Sequence, residues 1–240
     1  MKKIVFGSIT IVLIIIFWQL NALRIDNKFL FPYPVDVINT LYHLLTSIET
    51  YRIIIYSFFR LLIAISSATL LGIMLGIIAG LNDWFAYLLN PLITSLRTLP
   101  VASVIVVILI LYGQSFSLYI ITFLMLFPII FESTKQGVLN IDSSLIEALR
   151  LEEKQIKKHI FNIYLPLSKP FIKAGLLQSV GIGFKVLVMA EFIAQSPISI
   201  GQALYLGRIN LDYAQVFAWT IIIIVLVTSI ELFINKIKYN

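Results

Sequence analysis

The sequence has 240 residues, of which 60% are hydrophobic and 12% charged, with a formal net charge of +6 and no cysteine. A soluble domain carries about 25% charged residues, so this chain has too little polar surface to face water on all sides and lipid must supply much of its solvent. Without Cys there are no disulfides, thiolate metal sites or Cys nucleophiles, and the basic residues are not interleaved with aromatics as a nucleic-acid surface would require.

A helix crossing the roughly 30 Å hydrocarbon layer needs about 20 residues, and six stretches are read as spans within one transmembrane domain covering 1–240. The first, 4–20, follows Lys2-Lys3. It outruns the apolar core of a signal peptide, about 7–15 residues, and Asn21-Ala22-Leu23 is a poor cleavage site, so a retained span is expected. Next comes a polar segment with Phe31-Pro32-Tyr33-Pro34, stiffened because each Pro disfavours helix in the residue before it. Asp36 is expected to cap a short helix along the outer interface, with Val37, Leu41, Leu44, Leu45 and Ile48 on one face. The second span, 53–79, leads into Gly72, Gly76 and Gly80 at every fourth position, a spacing that admits a close helix neighbour. The uninterrupted run Val101–Tyr112 would make a helix of only about 18 Å. The third span is therefore placed at 92–112, passing Arg97 and Pro100. The fourth is 115–131, the fifth 171–194 and the sixth 216–234.

Lys and Arg concentrate on one side of this arrangement. With the N-terminus inside, Lys2, Lys3, Arg97, Lys135, the basic residues of 150–173, Lys236 and Lys238 all fall on the cytoplasmic side. Cytoplasmic loops carry such an excess, so both termini are expected inside. The segment from Glu132 to Lys169 is then the largest cytoplasmic feature, long for a mere connection. Asp142-Ser143-Ser144 marks a helix start, Ile146, Leu149 and Ile156 form an apolar side, and Ile160, Ile163 and Leu165 follow before Pro166 is expected to stop the helix. An amphipathic pair lying on anionic lipid and a docking element for a cytoplasmic partner both satisfy that periodicity.

Glu147-Ala148-Leu149, followed by Ile163-Tyr164-Leu165-Pro166, resembles the EAA motif of binding-protein-dependent ABC importer permeases, with matching spacing from Glu147 to Pro166. Leu149 stands where the family has a second Ala, and Glu153 where it has Gly. Phe31-Pro32-Tyr33-Pro34, Ser57-Phe58-Phe59-Arg60, Leu96-Arg97-Thr98-Leu99-Pro100, Gly113, Ala190-Glu191 and Ser199-Ile200-Gly201 are similar, in order, to blocks of the nitrate/sulfonate/taurine group. The resemblance implies an all-α integral membrane fold of six transmembrane helices with a cytoplasmic coupling-helix pair, the type I ABC importer permease fold. It implies ATPase coupling through Glu147, Ala148, Leu149, Glu153, Ile163, Leu165 and Pro166. The implied partners are a cytoplasmic ABC ATPase dimer carrying ATP and Mg, a second permease chain (a homodimer) and an extracytoplasmic substrate-binding protein. The implied cargo is a small polar or anionic solute, crossing a bacterial-type inner membrane.

Lys185 and Glu191 both lie in the fifth span. A charge at the bilayer centre costs about 2.5–3.5 kcal/mol on insertion scales, so each must face the bundle interior, a partner chain or a water-filled path. Six residues apart on a helix is about 9 Å along the axis and about 120° in direction. They are therefore not expected to pair directly, which leaves Arg60, Arg97 or another subunit as partners. Lys185 reads as a pathway residue; Glu191 reads equally as a pathway residue or one half of a structural pair. Arg97 and Pro100 admit a gate or a snorkelling Arg beside a helix break. No phosphate-binding Gly-x-x-x-x-Gly-Lys-Ser/Thr loop is present and His43 and His159 stand apart, so neither ATP hydrolysis nor a metal site is expected of this chain. An ATPase-independent secondary transporter or channel is the rival reading. It calls for an ion or proton relay within the spans and commonly inverted repeats, and neither is evident.

Overall fold

The computed structural model describes residues 2–142, 144 and 160–236, with side chains over 9–142, 144 and 160–234. Every regular element among them is helical: α1 (Lys2–Ile25), α2 (Pro34–Thr46), α3 (Ile48–Leu81), α4 (Asp83–Thr98), α5 (Val101–Leu139), α6 (Leu165–Ala194), α7 (Ile200–Ile209) and α8 (Tyr213–Lys236). A π-helical turn, Ile160–Tyr164, runs directly into α6. Four helical stretches are long and apolar enough to cross a membrane (Ile48–Leu81, Val101–Leu139, Ile160–Ala194 and Tyr213–Ile234), and the described part of α1 adds a shorter apolar helix, Ile9–Ile25.

The centre of the molecule is the packing of α3, α5 and α6. Gly72, Gly76 and Gly80 of α3 lie against Ile130, Thr134 and Val138 of α5. Residue numbers rise together along the contact, so the two helices run parallel, with the same four-residue step on each. A Cβ at Gly76 would fall 2.8 Å from the Phe131 carbonyl oxygen and 2.8 Å from Thr134 Cβ. Such backbone proximity is what helices gain from small residues where no hydrophobic effect separates protein from lipid. Helix α6 runs the other way along α5: Gly137 faces Ser168 and Phe171, Gly175 faces Ser133, and Gly183 faces Leu126. The largest buried cluster joins Leu118 and Ile121 of α5, Phe184 and Leu187 of α6, Ile200 of α7 and Trp219 of α8.

Several expected boundaries move for identifiable reasons. The expected third span is not continuous, because α4 ends at Thr98 and α5 begins after Leu99 and Pro100, both extended. Pro100 donates no backbone N–H and biases the residue before it away from helix. Within α5 the backbone breaks again at Gly113 (φ 69, ψ 179), a conformation open to glycine, so its residues form two limbs. Pro166 does not stop a helix; it lies in the first turn of α6, where its missing N–H breaks no regular bond. Asp36 is not the cap of α2 either: Tyr33 holds that position, Pro34 opens the helix, and Asp36 lies in the first turn, 4.0 Å from Lys28 Nζ. Val37 of α2 is buried and Leu41 and Leu44 pack on the core, but Leu45 and Ile48 are exposed.

Candidate functional site

The chain turns sharply between α6 and α7, and that turn is built to receive a charge. Gln195 takes the left-handed conformation (φ 51) at the end of α6, and Ser199 (φ −146) caps α7 by accepting the Gln202 N–H at 3.0 Å. The Ser199 hydroxyl donates in turn to the Ser196 carbonyl at 2.6 Å, and the Gln202 side-chain oxygen accepts the Ile198 N–H at 3.0 Å. This reciprocal capping turns the first N–H groups of α7 toward Ser57 and toward Glu191, in the last turn of α6.

Glu191 is fully buried and both its oxygens are engaged. Ser57 Oγ of α3 lies 2.8 Å from Oε1 and 3.0 Å from Oε2, donating to the carboxylate while accepting the Ile200 N–H at 3.2 Å. Arg60 Nη1 donates to Oε1 at 3.0 Å, and the Gly201 N–H donates to Oε2 at 3.2 Å. Arg60 also reaches the carbonyls of Ile198 at 3.3 Å and Pro197 at 3.1 Å. The carboxylate thus meets an arginine and a helix N-terminus, the two environments that best stabilise negative charge. Gly201 leaves no space for a side chain: a Cβ there would fall on the Phe192 nitrogen and the Glu191 Cβ. Ile198 has φ 50, rare for a β-branched residue. Its carbonyl is held by Arg60 and its N–H by Gln202, so hydrogen bonds on both sides retain the strained conformation.

Arg60 also borders a cavity of about 600 Å³ shared by α3, α5 and the 196–197 turn, lined by Tyr56, Phe59, Ser115, Tyr119 and Pro197. Gln114, next to the Gly113 break, donates to the carbonyls of Ala194 and Gln195 and ties that break to the end of α6. Ser57, Arg60, Glu191 and Gly201 therefore join α3, α6 and α7 in one polar node around a buried carboxylate, and the exposed Gln114 ties α5 to the same turn through backbone carbonyls.

The other residues singled out from the sequence do not join it. Lys185 lies on an exposed face of α6, in line with Gln178 and Met189 at helical spacing, and makes no ion pair among the described residues. Arg97 is exposed in the last turn of α4, and Pro100 caps α5 at the break between them. Ile163 is buried in the π turn, while Leu165 and Pro166 are half-buried at the start of α6. Glu147, Ala148, Leu149 and Glu153 lie outside the described residues. Before that segment Asp142 accepts the Ser144 hydroxyl at 2.7 Å and N–H at 2.9 Å, which holds its carboxyl below the usual aspartate range. No group of three or more His, Cys, Asp or Glu gathers as a metal site among the described residues.

Sequence reasoning missed Glu231, a lone acidic residue in the last stretch whose Oε1 lies 2.8 Å from where a Cβ of Gly181 would be. Its signal was an acid in an apolar run. Ser57 and Gly201 stood in quoted motifs, but their bonds to Glu191 cross more than a hundred residues or a turn and carry no local pattern.

A bundle of membrane-length helices with a buried charge node, and a mid-helix lysine without an ion pair among the described residues, is the build of a membrane transport subunit. Residues 72–237 match the family described as binding-protein-dependent transport system inner membrane component, and the chain belongs to that family. It is 27% identical over 235 residues to the "Putative aliphatic sulfonates transport permease protein" of Bacillus subtilis (strain 168), covering 97% of this chain and 84% of that one. It is 25% identical over 189 residues to the taurine transport system permease protein of Escherichia coli (strain K12), covering 76% and 69%. A nitrate import permease protein of Synechocystis is 24% identical over 211 residues, covering 80% and 72%. The chain is accordingly a multi-pass inner-membrane permease subunit of an ATP-binding-cassette importer, a transport component and not an enzyme, served by a separate ATPase and a substrate-binding protein.

Proposed function

We propose that this permease works as a homodimer of six-span subunits with both termini in the cytoplasm, passing a small anionic or polar solute along a path between the copies. Lys185 carries this reading. It is exposed on the middle of α6 with no ion-pair partner among the described residues, a position untenable against lipid and suited to a water-filled path. The relatives' names point to sulfonates, taurine and nitrate, in keeping with a cation beside the path. The segment containing Glu147, Ala148, Leu149 and Glu153, with Ile163, Leu165 and Pro166 at its end, docks on an ATPase dimer that holds ATP and Mg. ATP-driven closure of that dimer moves the segment, and the bundle changes between inward-open and outward-open states. Both ATP and the loaded binding protein bias this two-state element. Arg60 and Glu191 hold the α6–α7 turn closed, and Arg97 and Pro100 sit at the α4–α5 break as a gate.

Co-purification and uptake test the reading together. The wild-type chain carries its ATPase through purification, and Glu147→Arg loses it. Lys185→Met assembles normally but loses most ATP-driven uptake of the solute bound by the partner binding protein. Normal uptake by an assembled Lys185→Met complex would remove Lys185 from the path.

A further inference from the structure

Four charges of the spans have no ion pair among the described residues: Lys169, Lys173, Lys185 and Glu231. Arg60 is taken by Glu191, and Lys135 by Glu132 at 3.4 Å. Lys169 and Lys173 lie near the α6 end that adjoins the cytoplasmic segment. Lys185 of α6 and Glu231 of α8 have no ion-pair partner among the described residues, and Glu231 lies against Gly181, one helical turn before Lys185.

Glu231 Oε1 rests against the bare backbone of Gly181, at 2.8 Å from where a Cβ would stand. Any other residue there would push the carboxylate away. Lys185 is four residues further along α6, on the same face. A helical side chain leans toward the helix N-terminus and covers the turn before its own Cα. The natural course of the Lys185 side chain is therefore back over Gly181, onto the carboxylate lodged there. Lys185 is exposed and free to change rotamer, whereas Glu231 is half-buried between two helices.

We propose that Glu231 is the resident counter-ion of Lys185: its carboxylate neutralises the ammonium when the path is empty, and an anionic solute takes its place during passage. The inference rests on the placing of Lys185 in the translocation path and adds to it a second residue and a solute class. A lysine beside the path with no carboxylate in reach would hold its anion and slow its release. A carboxylate in reach competes for the same ammonium and returns it to a neutral pair once the solute leaves. Glu231 is thus a positioning residue that acts through Lys185, and it need not touch the solute.

The test is a charge cycle on the permease–ATPase complex in nanodiscs, read by melting temperature with and without methanesulfonate as the anionic probe. E231Q strands the lysine: the complex melts about 3 °C or more below wild type, and methanesulfonate restores it. K185M strands the carboxylate, melts lower and ignores the probe. K185M/E231Q recovers most of the loss and is also insensitive. Additive losses in the double variant would overturn the pair, and an E231Q complex that ignores methanesulfonate would overturn the exchange. Uptake in K185M is a separate measurement. If the cycle shows coupling and probe sensitivity while K185M transports normally, the path reading fails and the ion pair stands. If K185M abolishes uptake while the cycle is additive, the path reading stands and Glu231 is not its counter-ion.

Discussion

At the scale of single residues, what separates Glu191 from Lys185 is the number of groups each finds. Glu191 is fully buried with bonds from Ser57, Arg60 and Gly201, while Lys185 is exposed with no ion pair among the described residues. Removing one member of a buried ion pair leaves the other uncompensated and costs about 3–5 kcal/mol. Glu191→Ala should therefore lower the yield and melting temperature of the folded chain by that order, measured after detergent extraction. Arg60→Met/Glu191→Met should lose less than either single change, because no charge is left stranded. The partners of Glu191 were only half legible in the sequence. Its cost inside a span called for a cation and Arg60 was one candidate, but a helix N-terminus arriving from α7 depends on the turn at Gln195–Ser199. Glu231 shows the same limit: its proximity to Gly181 follows from α8 packing on α6, and no local spacing encodes it.

At the scale of elements, small residues decide where helices meet. The Gly72–Gly76–Gly80 spacing predicted a close neighbour without saying which, and the structure assigns it to α5 through Ile130, Thr134 and Val138. Gly76→Leu should prevent that approach. Its atoms would meet the Phe131 carbonyl oxygen, on a helix backbone that cannot give way, and the β-branched Thr134 side chain. Overpacking of this kind typically costs about 1–3 kcal/mol, and occasionally more. The expected result is loss of monodisperse protein in size-exclusion chromatography, with Gly72→Ala milder because its nearest neighbours include the Ile130 side chain. The break at Pro100 was legible only as a helix breaker inside an expected span, and Gly113 only as a block of the family resemblance; the structure turns both into ends of helical limbs. Pro166 was read in the wrong sense, since a proline closes one helix and opens the next with equal ease. Only the π turn leading into α6 settles which.

At the scale of the whole molecule, the parallel run of α3 with the second limb of α5 and the antiparallel run of α6 on it put the end of α5 and the start of α6 at one end of the bundle and the α6–α7 turn at the other. The natural absence of cysteine makes this directly measurable. A single Cys at Asn27 should react with an impermeant maleimide from outside intact cells, and one at Gln136 only after the membrane is opened; the reverse pattern would invert the orientation. By itself the sequence determined the solvent and the helical class, and it grouped most basic residues on one side of the expected spans. Those properties follow from composition and from the length of apolar runs, which are local and additive. It also carried the family resemblance, because motif spacing survives in one dimension. Only the tertiary structure decided which charges meet. The node around Glu191 and the approach of Glu231 to Gly181 join residues far apart in sequence, and in a low-dielectric interior a displacement of a few ångströms separates a neutral pair from a stranded charge.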